Sequence, residues 1–144
     1  MTEPPGAPEQ ITALIHRYAT AIDTKDWELF ATCSTTDAVS DYGDIGRWNS
    51  ARKITEFMTA AHAGMRDTKH MLHNVVVTMA GPSRATAVSY VHTVQALAVD
   101  PDGWIDAVGQ YNDELVDTAD GWRIGKRVFT MTRMLTSYQL RQAH

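Results

Sequence analysis

Two histidines are the residues whose types and spacing bear most directly on chemistry. His70 and His73 lie three residues apart in the segment 68–79, whose alternating pattern predicts a β-strand. Residues three apart on a strand point to opposite faces. Because Cys and Glu ligands are also missing, no shared zinc site is expected. One histidine should face inward, where acid–base chemistry and a local hydrogen bond are both open interpretations.

Asp23 is the acid that could serve such a histidine. It falls in the last turn of a helix predicted over residues 8–23, where the negative end of the helix dipole disfavours a carboxylate. A solvated acid at a helix end is the ordinary interpretation. A carboxylate beside His70 would instead hold one imidazole tautomer and stabilise the imidazolium, but the sequence spacing does not show whether the two groups meet.

Helical periodicity in the first half of the chain predicts three helices. Pro8 suits a first helical position, and Asp26 and Ser50 suit N-caps. The helices are predicted over 8–23, from Asp26 to near Cys33, and from Ser50 to about Gly64, with a short hairpin over 38–48 before the third.

The second half alternates with the period of strands. Four are predicted, over 68–79, 85–99, 104–118 and 122–137. Turn residues of hairpin length separate them, which favours consecutive antiparallel pairing. Helices followed by a meander indicate an α+β domain, with the N-terminal helices on one face of a bent, mainly antiparallel sheet.

Composition narrows the function classes. A chain of 144 residues, 44% hydrophobic, suits one domain, predicted over 8–138 between tails at 1–7 and 139–144. The net charge of −4, from 13 Lys and Arg against 17 Asp and Glu, disfavours nucleic-acid binding. No apolar run approaches the ~18 residues of a membrane helix, so no membrane partner is expected.

Cysteine use and missing motifs narrow the chemistry further. Cys33 is the single cysteine, so an intramolecular disulfide is excluded, and with no readable secretory signal a cytoplasmic location is expected. The sequence contains no GxGxxG, P-loop, GxSxG or CxxC motif. These absences favour cofactor-free chemistry or simple binding, with neither cofactor nor metal expected.

Four segments carry a family resemblance: RYATAIDTKDWELFATC, VSDYG, TKHMLHN and DGWRIGKR. They resemble the SnoaL-like branch of the nuclear transport factor 2-like superfamily over roughly residues 8–138. The resemblance implies a conical α+β barrel with a deep pocket between sheet and helices. Within the branch the pattern is most similar to scytalone dehydratase, bile acid 7α-dehydratase and lindane dehydrochlorinase, which are cofactor-independent lyases.

The resemblance also assigns site residues. It implies catalytic roles for Asp23, His70, Tyr18, Tyr42 and Arg127, and substrate contacts for His92 and Asn112. Tyr18 replaces the lysine of the dehydrochlorinase, and Ile22 replaces a tyrosine of scytalone dehydratase. The substrate of neither enzyme can therefore be assigned directly to this protein.

Further apolar residues could line such a pocket, although their spacings are by default those of a core. The expected lining for an aromatic, polyketide-like or steroid-like ligand includes Trp27, Phe57, Met58 and Phe129.

These residues suggest a dehydratase. His70 would remove a proton beside a carbonyl, the phenols would hydrogen-bond the enolate oxygen, Arg127 would help an anionic leaving group, and the proton would return to a departing hydroxyl. The same equipment suits a polyketide cyclase or an isomerase. A non-catalytic small-molecule-binding module is the alternative from another class.

Self-association is also expected. The sheet face predicted to point outward is too apolar to leave bare; it carries Val75, Val77, Val91 and Leu97. The lyases that the chain resembles are trimers, so a homotrimer is favoured over a dimer.

Overall fold

The computed structural model describes residues 3–138, which form three helices and six strands. Two of the strands precede the third helix, and four follow it. A short 3₁₀ turn, Gly43–Ile45, separates the first two strands. The elements are α1 (Ala7–Asp23), α2 (Trp27–Thr32), β1 (Ser34–Asp41), β2 (Arg47–Trp48), α3 (Ala51–His62), β3 (Met65–Met79), β4 (Arg84–Leu97), β5 (Trp104–Thr118) and β6 (Gly121–Thr136). Of the predicted tails, residues 1, 2 and 139–144 lie outside the described residues.

Local sequence signals set the ends of the two shorter helices. The Asp26 carboxylate accepts the backbone N–H of Leu29 at 3.1 Å at the start of α2. The Ser50 hydroxyl accepts the backbone N–H of Lys53 at 3.1 Å at the start of α3. Each contact satisfies an amide that the helix leaves without a partner, so both predicted N-caps are confirmed.

The six strands form one sheet in the order β2-β1-β6-β5-β4-β3. Strands β3 to β6 pair consecutively and antiparallel, which confirms the predicted meander. The hairpin of β1 and β2 is also present. The sequence did not predict that β1 pairs in parallel with β6, because that pairing joins segments more than 80 residues apart.

The helices cover one face of the curved sheet. α1 packs on β3 and β6, and α3 packs on β1. The core between them combines Ile11 and Ile15 of α1 with Val91, Leu115 and Ile124 of the sheet. This is the α+β cone of the nuclear transport factor 2-like type, as predicted. No helix within residues 3–138 is both long and apolar enough to cross a membrane.

A bulge in β3 overturns one prediction about the sheet faces. Asn74 has a φ of 52°, and the pairing of β3 with β4 shifts register between His73 and Val76. The extra residue reverses the alternation, so Val75 and Val77 pack against the core. Of the other residues predicted on the outward apolar face, Val91 is buried; Val76 and Tyr90 are exposed instead.

Candidate active site

The carboxylate of Asp23 and the imidazole of His70 are in direct contact. Asp23 is the last residue of α1, and His70 lies on β3, the strand against which that helix packs. His70 Nδ1 lies 2.7 Å from Asp23 Oδ1, and the backbone N–H of His70 donates to Asp23 Oδ2 at 2.9 Å. The hydroxyl of Thr68 donates to Oδ1 at 2.9 Å. These hydrogen bonds stabilise the ionised carboxylate, which the negative end of the helix dipole would otherwise disfavour.

This arrangement decides which nitrogen of a neutral His70 ring carries the proton. Burial raises the pKa of Asp23, but the hydrogen bonds from His70 and Thr68 outweigh it and hold the pKa below the ordinary value. An ionised carboxylate requires that His70 Nδ1 carry the proton. In the neutral ring, Nε2 of His70 is then the nitrogen without a proton, and it can act as a general base. The His70 side chain is only 7% exposed, so little water competes for that nitrogen.

His70 forms part of the wall of an apolar cavity of about 200 Å³. Strands β3 to β6, the C-terminal half of α3, Ile22 of α1 and the segment 42–45 line it, and one side is open. Five of the site residues predicted from the sequence line this cavity: Tyr42, Phe57, Met58, His70 and Phe129. The cavity therefore brings a general base together with a phenol and an apolar lining.

Tyr42 and Tyr18 are linked through their hydroxyl groups. The two oxygens lie 2.6 Å apart, with Tyr42 on the cavity wall and Tyr18 in the core behind it. Burial raises the pKa of both phenols, that of Tyr42 well above its ordinary value. Both therefore stay protonated near neutral pH. The side chain of Tyr111 is a further hydrogen-bond partner of Tyr42, so the hydroxyl groups of Tyr18, Tyr42 and Tyr111 form one network.

Arg127 does not line the cavity, contrary to the leaving-group role inferred from the sequence. Its Nε and Nη2 donate to the two carboxylate oxygens of Asp113 at 2.7 and 2.8 Å. The guanidinium carbon lies 4.2 Å from the ring centre of Tyr18 and 3.7 Å from that of Tyr111. Burial alone would lower the pKa of Arg127, but the Asp113 carboxylate raises it above the ordinary value. The ion pair therefore lies in the core, where Arg127 packs against the rings of Tyr18 and Tyr111.

Three predicted substrate contacts also fall outside the cavity. His92 alternates along β4 with the cavity-lining Thr93 and so faces the other side of the sheet. Asn112 is exposed on β5, where it accepts a hydrogen bond from the side chain of Gln110. Trp27 packs on the ring of His62 at 5.7 Å between centroids, one layer behind the cavity wall.

The cavity also contains polar residues that the sequence reasoning missed. His62, Gln95 and Tyr111 all line it. The signal for His62 was its place four residues after Met58, on the apolar face of α3. Tyr111, Asp113 and Leu115 occupy every second position of β5 and are all buried. This spacing places all three on the inner face.

The HxxH spacing does not form a metal site. His70 points inward and His73 is exposed, so the two side chains take opposite faces as the alternation predicts. Across residues 3–138, no group of three or more His, Cys, Asp or Glu side chains is placed to hold a metal ion.

The cone of helices and sheet, with a cavity between them, defines a nuclear transport factor 2-like protein. A model of the SnoaL-like domain matches residues 7–128, and the chain belongs to that family. An uncharacterized protein of Mycobacterium tuberculosis is 29% identical over 122 residues, which span 84% of this chain and 82% of the relative.

Solved structures share the fold. A candidate aromatic ring hydroxylase from Novosphingobium aromaticivorans has a TM-score of 0.84 at 25% identity, covering 96% of this chain and 98% of its own. A candidate scytalone dehydratase from the same organism scores 0.82 at 17% identity, covering 88% and 85%. A hexachlorocyclohexane dehydrochlorinase scores 0.80 at 16% identity, covering 89% and 86%. At such identities the last two establish likeness of fold alone.

Proposed function

We propose that this protein is a cofactor-independent lyase, a dehydratase that acts on a hydrophobic hydroxy-carbonyl compound. The observation that carries the proposal is the Asp23–His70 pair, with His70 on the wall of an apolar cavity. An oriented imidazole with Nε2 unprotonated is a general base. The dehydratase and dehydrochlorinase named among the similar structures are consistent with elimination chemistry.

The reaction uses one proton carrier. His70 Nε2 takes the proton from the carbon beside the carbonyl, and the C–H electron pair moves into an enolate. The enolate then forms the carbon–carbon double bond as the bond to the neighbouring hydroxyl breaks. The departing oxygen takes the proton from the His70 imidazolium and leaves as water. Asp23 stays ionised and stabilises the imidazolium in between.

Tyr42 provides the donor for the enolate oxygen. Tyr42 lines the cavity, and its hydroxyl stays protonated at neutral pH because burial raises its pKa. The enolate oxygen takes the place of the Tyr111 hydroxyl as its hydrogen-bond partner. A positioned donor at a developing oxyanion contributes about 3–4 kcal/mol to transition-state stabilisation. Tyr18 acts through its hydrogen bond to Tyr42.

The cavity favours a small substrate over a steroid-sized one. Its volume of about 200 Å³ is below the roughly 300 Å³ at which pockets for drug-sized ligands begin. An aromatic or fused two-ring β-hydroxy ketone matches this size and the aromatic lining. Such a compound carries both the acidic C–H and the hydroxyl that elimination requires.

Turnover of 3-hydroxy-1-tetralone tests the proposal. A dehydratase converts it to 1-naphthol with loss of one water, which mass spectrometry detects, and the His70→Ala variant does not. A change of structure without loss of water would favour the cyclase or isomerase alternative. Binding with no chemistry in the wild type would favour a non-catalytic module and contradict the proposal.

Self-association belongs to the same proposal. The exposed apolar side chains of Val76 and Tyr90, 61% and 47% accessible, are the candidates for burial in a homotrimer or a dimer. Light scattering measures the assembled mass, and a monomer at working concentration would contradict the expectation.

A further inference from the structure

A second histidine lies in the same cavity, outside the Asp23–His70 pair. His62 is in the last turn of α3, and its residue surface is 5% exposed. Its ring centroid lies 6.0 Å from that of His70, and both rings line the cavity. The ring of Trp27 packs on His62 at 5.7 Å and helps to hold its orientation. None of the mechanistic steps above uses this residue.

The contacts of His62 determine what its free nitrogen can do. Nδ1 lies 2.8 Å from the carbonyl oxygen of Met58, an acceptor, so Nδ1 carries the proton and Nε2 does not. Burial also lowers the pKa of His62, which keeps the ring neutral at pH 7. Nε2 is therefore a hydrogen-bond acceptor rather than a proton donor.

The group opposite this acceptor is the side-chain amide of Gln95. Its Nε2 lies 3.5 Å from His62 Nε2, a long contact that leaves both groups weakly satisfied. A polar pair in an apolar cavity is stabilised most by a ligand group that hydrogen-bonds to both partners. A hydroxyl does so, because it donates one hydrogen and accepts others. A halide or an ether oxygen offers no hydrogen to His62.

We propose that His62 and Gln95 form a subsite for the hydroxyl of the substrate, in which the hydroxyl donates to His62 Nε2 and accepts from the Gln95 amide. This inference rests on the proposed function and adds the basis of its selectivity. The hydroxyl bound in this way keeps one oxygen lone pair unused, which can take the proton that His70 returns as the oxygen leaves. The 6.0 Å between the imidazole rings fits adjacent carbon atoms that carry the acidic hydrogen and the hydroxyl.

The test compares two ligands that differ by one hydroxyl. Dissociation constants of 3-hydroxy-1-tetralone and 1-tetralone are measured by calorimetry in the His70→Ala background, where no turnover interferes. The subsite predicts that the hydroxylated compound binds roughly three- to tenfold more tightly, the range of one neutral hydrogen bond. Adding His62→Phe or Gln95→Leu should bring that ratio close to one. A His73→Phe change, made on the exposed histidine of β3, should leave it unaltered.

The ratio isolates the hydroxyl contact, because a general loss of fold or of cavity shape weakens both ligands together. A parent protein with no preference, or a preference that survives His62→Phe, would overturn the subsite. The outcome is independent of catalysis. If the binding preference depends on His62 but the protein has no turnover, the subsite stands and the dehydratase proposal is rejected. If the protein has turnover but no binding preference, the dehydratase proposal stands and the subsite is rejected.

Discussion

Asp23 accepts both the side-chain Nδ1–H and the backbone N–H of His70, at 2.7 and 2.9 Å. The end of α1 is thereby attached to β3 at the residue whose imidazole lines the cavity. The carboxylate sets the position of the strand, the tautomer of the ring and the direction of Nε2 together. Substitutions at Asp23 should consequently affect chemistry more than binding.

Asp23→Asn should slow turnover of 3-hydroxy-1-tetralone by roughly tenfold or more, within the range of general acid–base effects. The amide lacks the charge that stabilises the imidazolium, although its volume preserves the packing. Steady-state kinetics measure the loss, and circular dichroism checks the fold. Asp26→Asn is the matched control, because asparagine caps α2 as well as aspartate does. Equal rates for wild type and Asp23→Asn would remove the pair from the mechanism.

The depressed pKa of Asp23 predicts a pH-dependent contribution to stability. A carboxyl whose pKa is lower in the folded protein stabilises it above the ordinary value of 3.8. That contribution is lost as the pH falls through the lower folded-state pKa. Urea unfolding at a series of pH values should therefore show the stability difference between wild type and Asp23→Asn narrowing below pH 3.8. A difference that is constant through this range would mean that the pKa of Asp23 is not depressed.

Tyr42→Phe should reduce kcat by roughly 10²- to 10³-fold, the cost of losing one oxyanion donor. Tyr18→Phe should cost less, because that hydroxyl reaches the cavity only through Tyr42. Single-turnover kinetics compare the two variants, with binding of 1-tetralone as the check on cavity shape. A larger loss for Tyr18→Phe than for Tyr42→Phe would reverse the assigned roles.

The buried ion pair of Arg127 and Asp113 should act on stability. Arg127→Met leaves the Asp113 carboxylate buried without its partner, which costs about 3–5 kcal/mol. The double variant Arg127→Met/Asp113→Leu should be less destabilised than Arg127→Met alone, because it leaves no unpaired charge. Urea denaturation measures these two variants and Asp113→Leu alone. A double variant whose loss equals the sum of the two single losses would show that the pair is not coupled.

The order of elements was predictable because its signals are local. Asp26 and Ser50 cap helices through their own side chains, and hairpin-length turns join β3 to β6. The parallel contact of β1 with β6 has no local signal. The bulge at Asn74 depends on a single backbone angle, φ of 52°, and it shifts the alternation that the sequence presents as continuous.

The site was predictable only in part. The family resemblance led to Asp23 and His70, which the structure brings together, although no spacing in the sequence indicates their contact. For Arg127, alternation along β6 does not give the direction, because a register shift lies between Ile124 and Lys126 and both Ile124 and Arg127 are buried. Its place in the core depends on Asp113 of the neighbouring strand. His62 could have been found, since the apolar face of α3 runs through Met58 to its position.

Hydrogen exchange at the carbon beside the carbonyl of 1-tetralone tests most directly whether His70 is a base. The ketone is incubated in heavy water with wild type, His70→Ala or the control His73→Ala, and deuterium uptake is followed by NMR. We expect uptake with wild type and His73→Ala, and a loss of roughly 10²-fold or more with His70→Ala. Equal uptake with His70→Ala, or none beyond the buffer rate with wild type, would contradict the account.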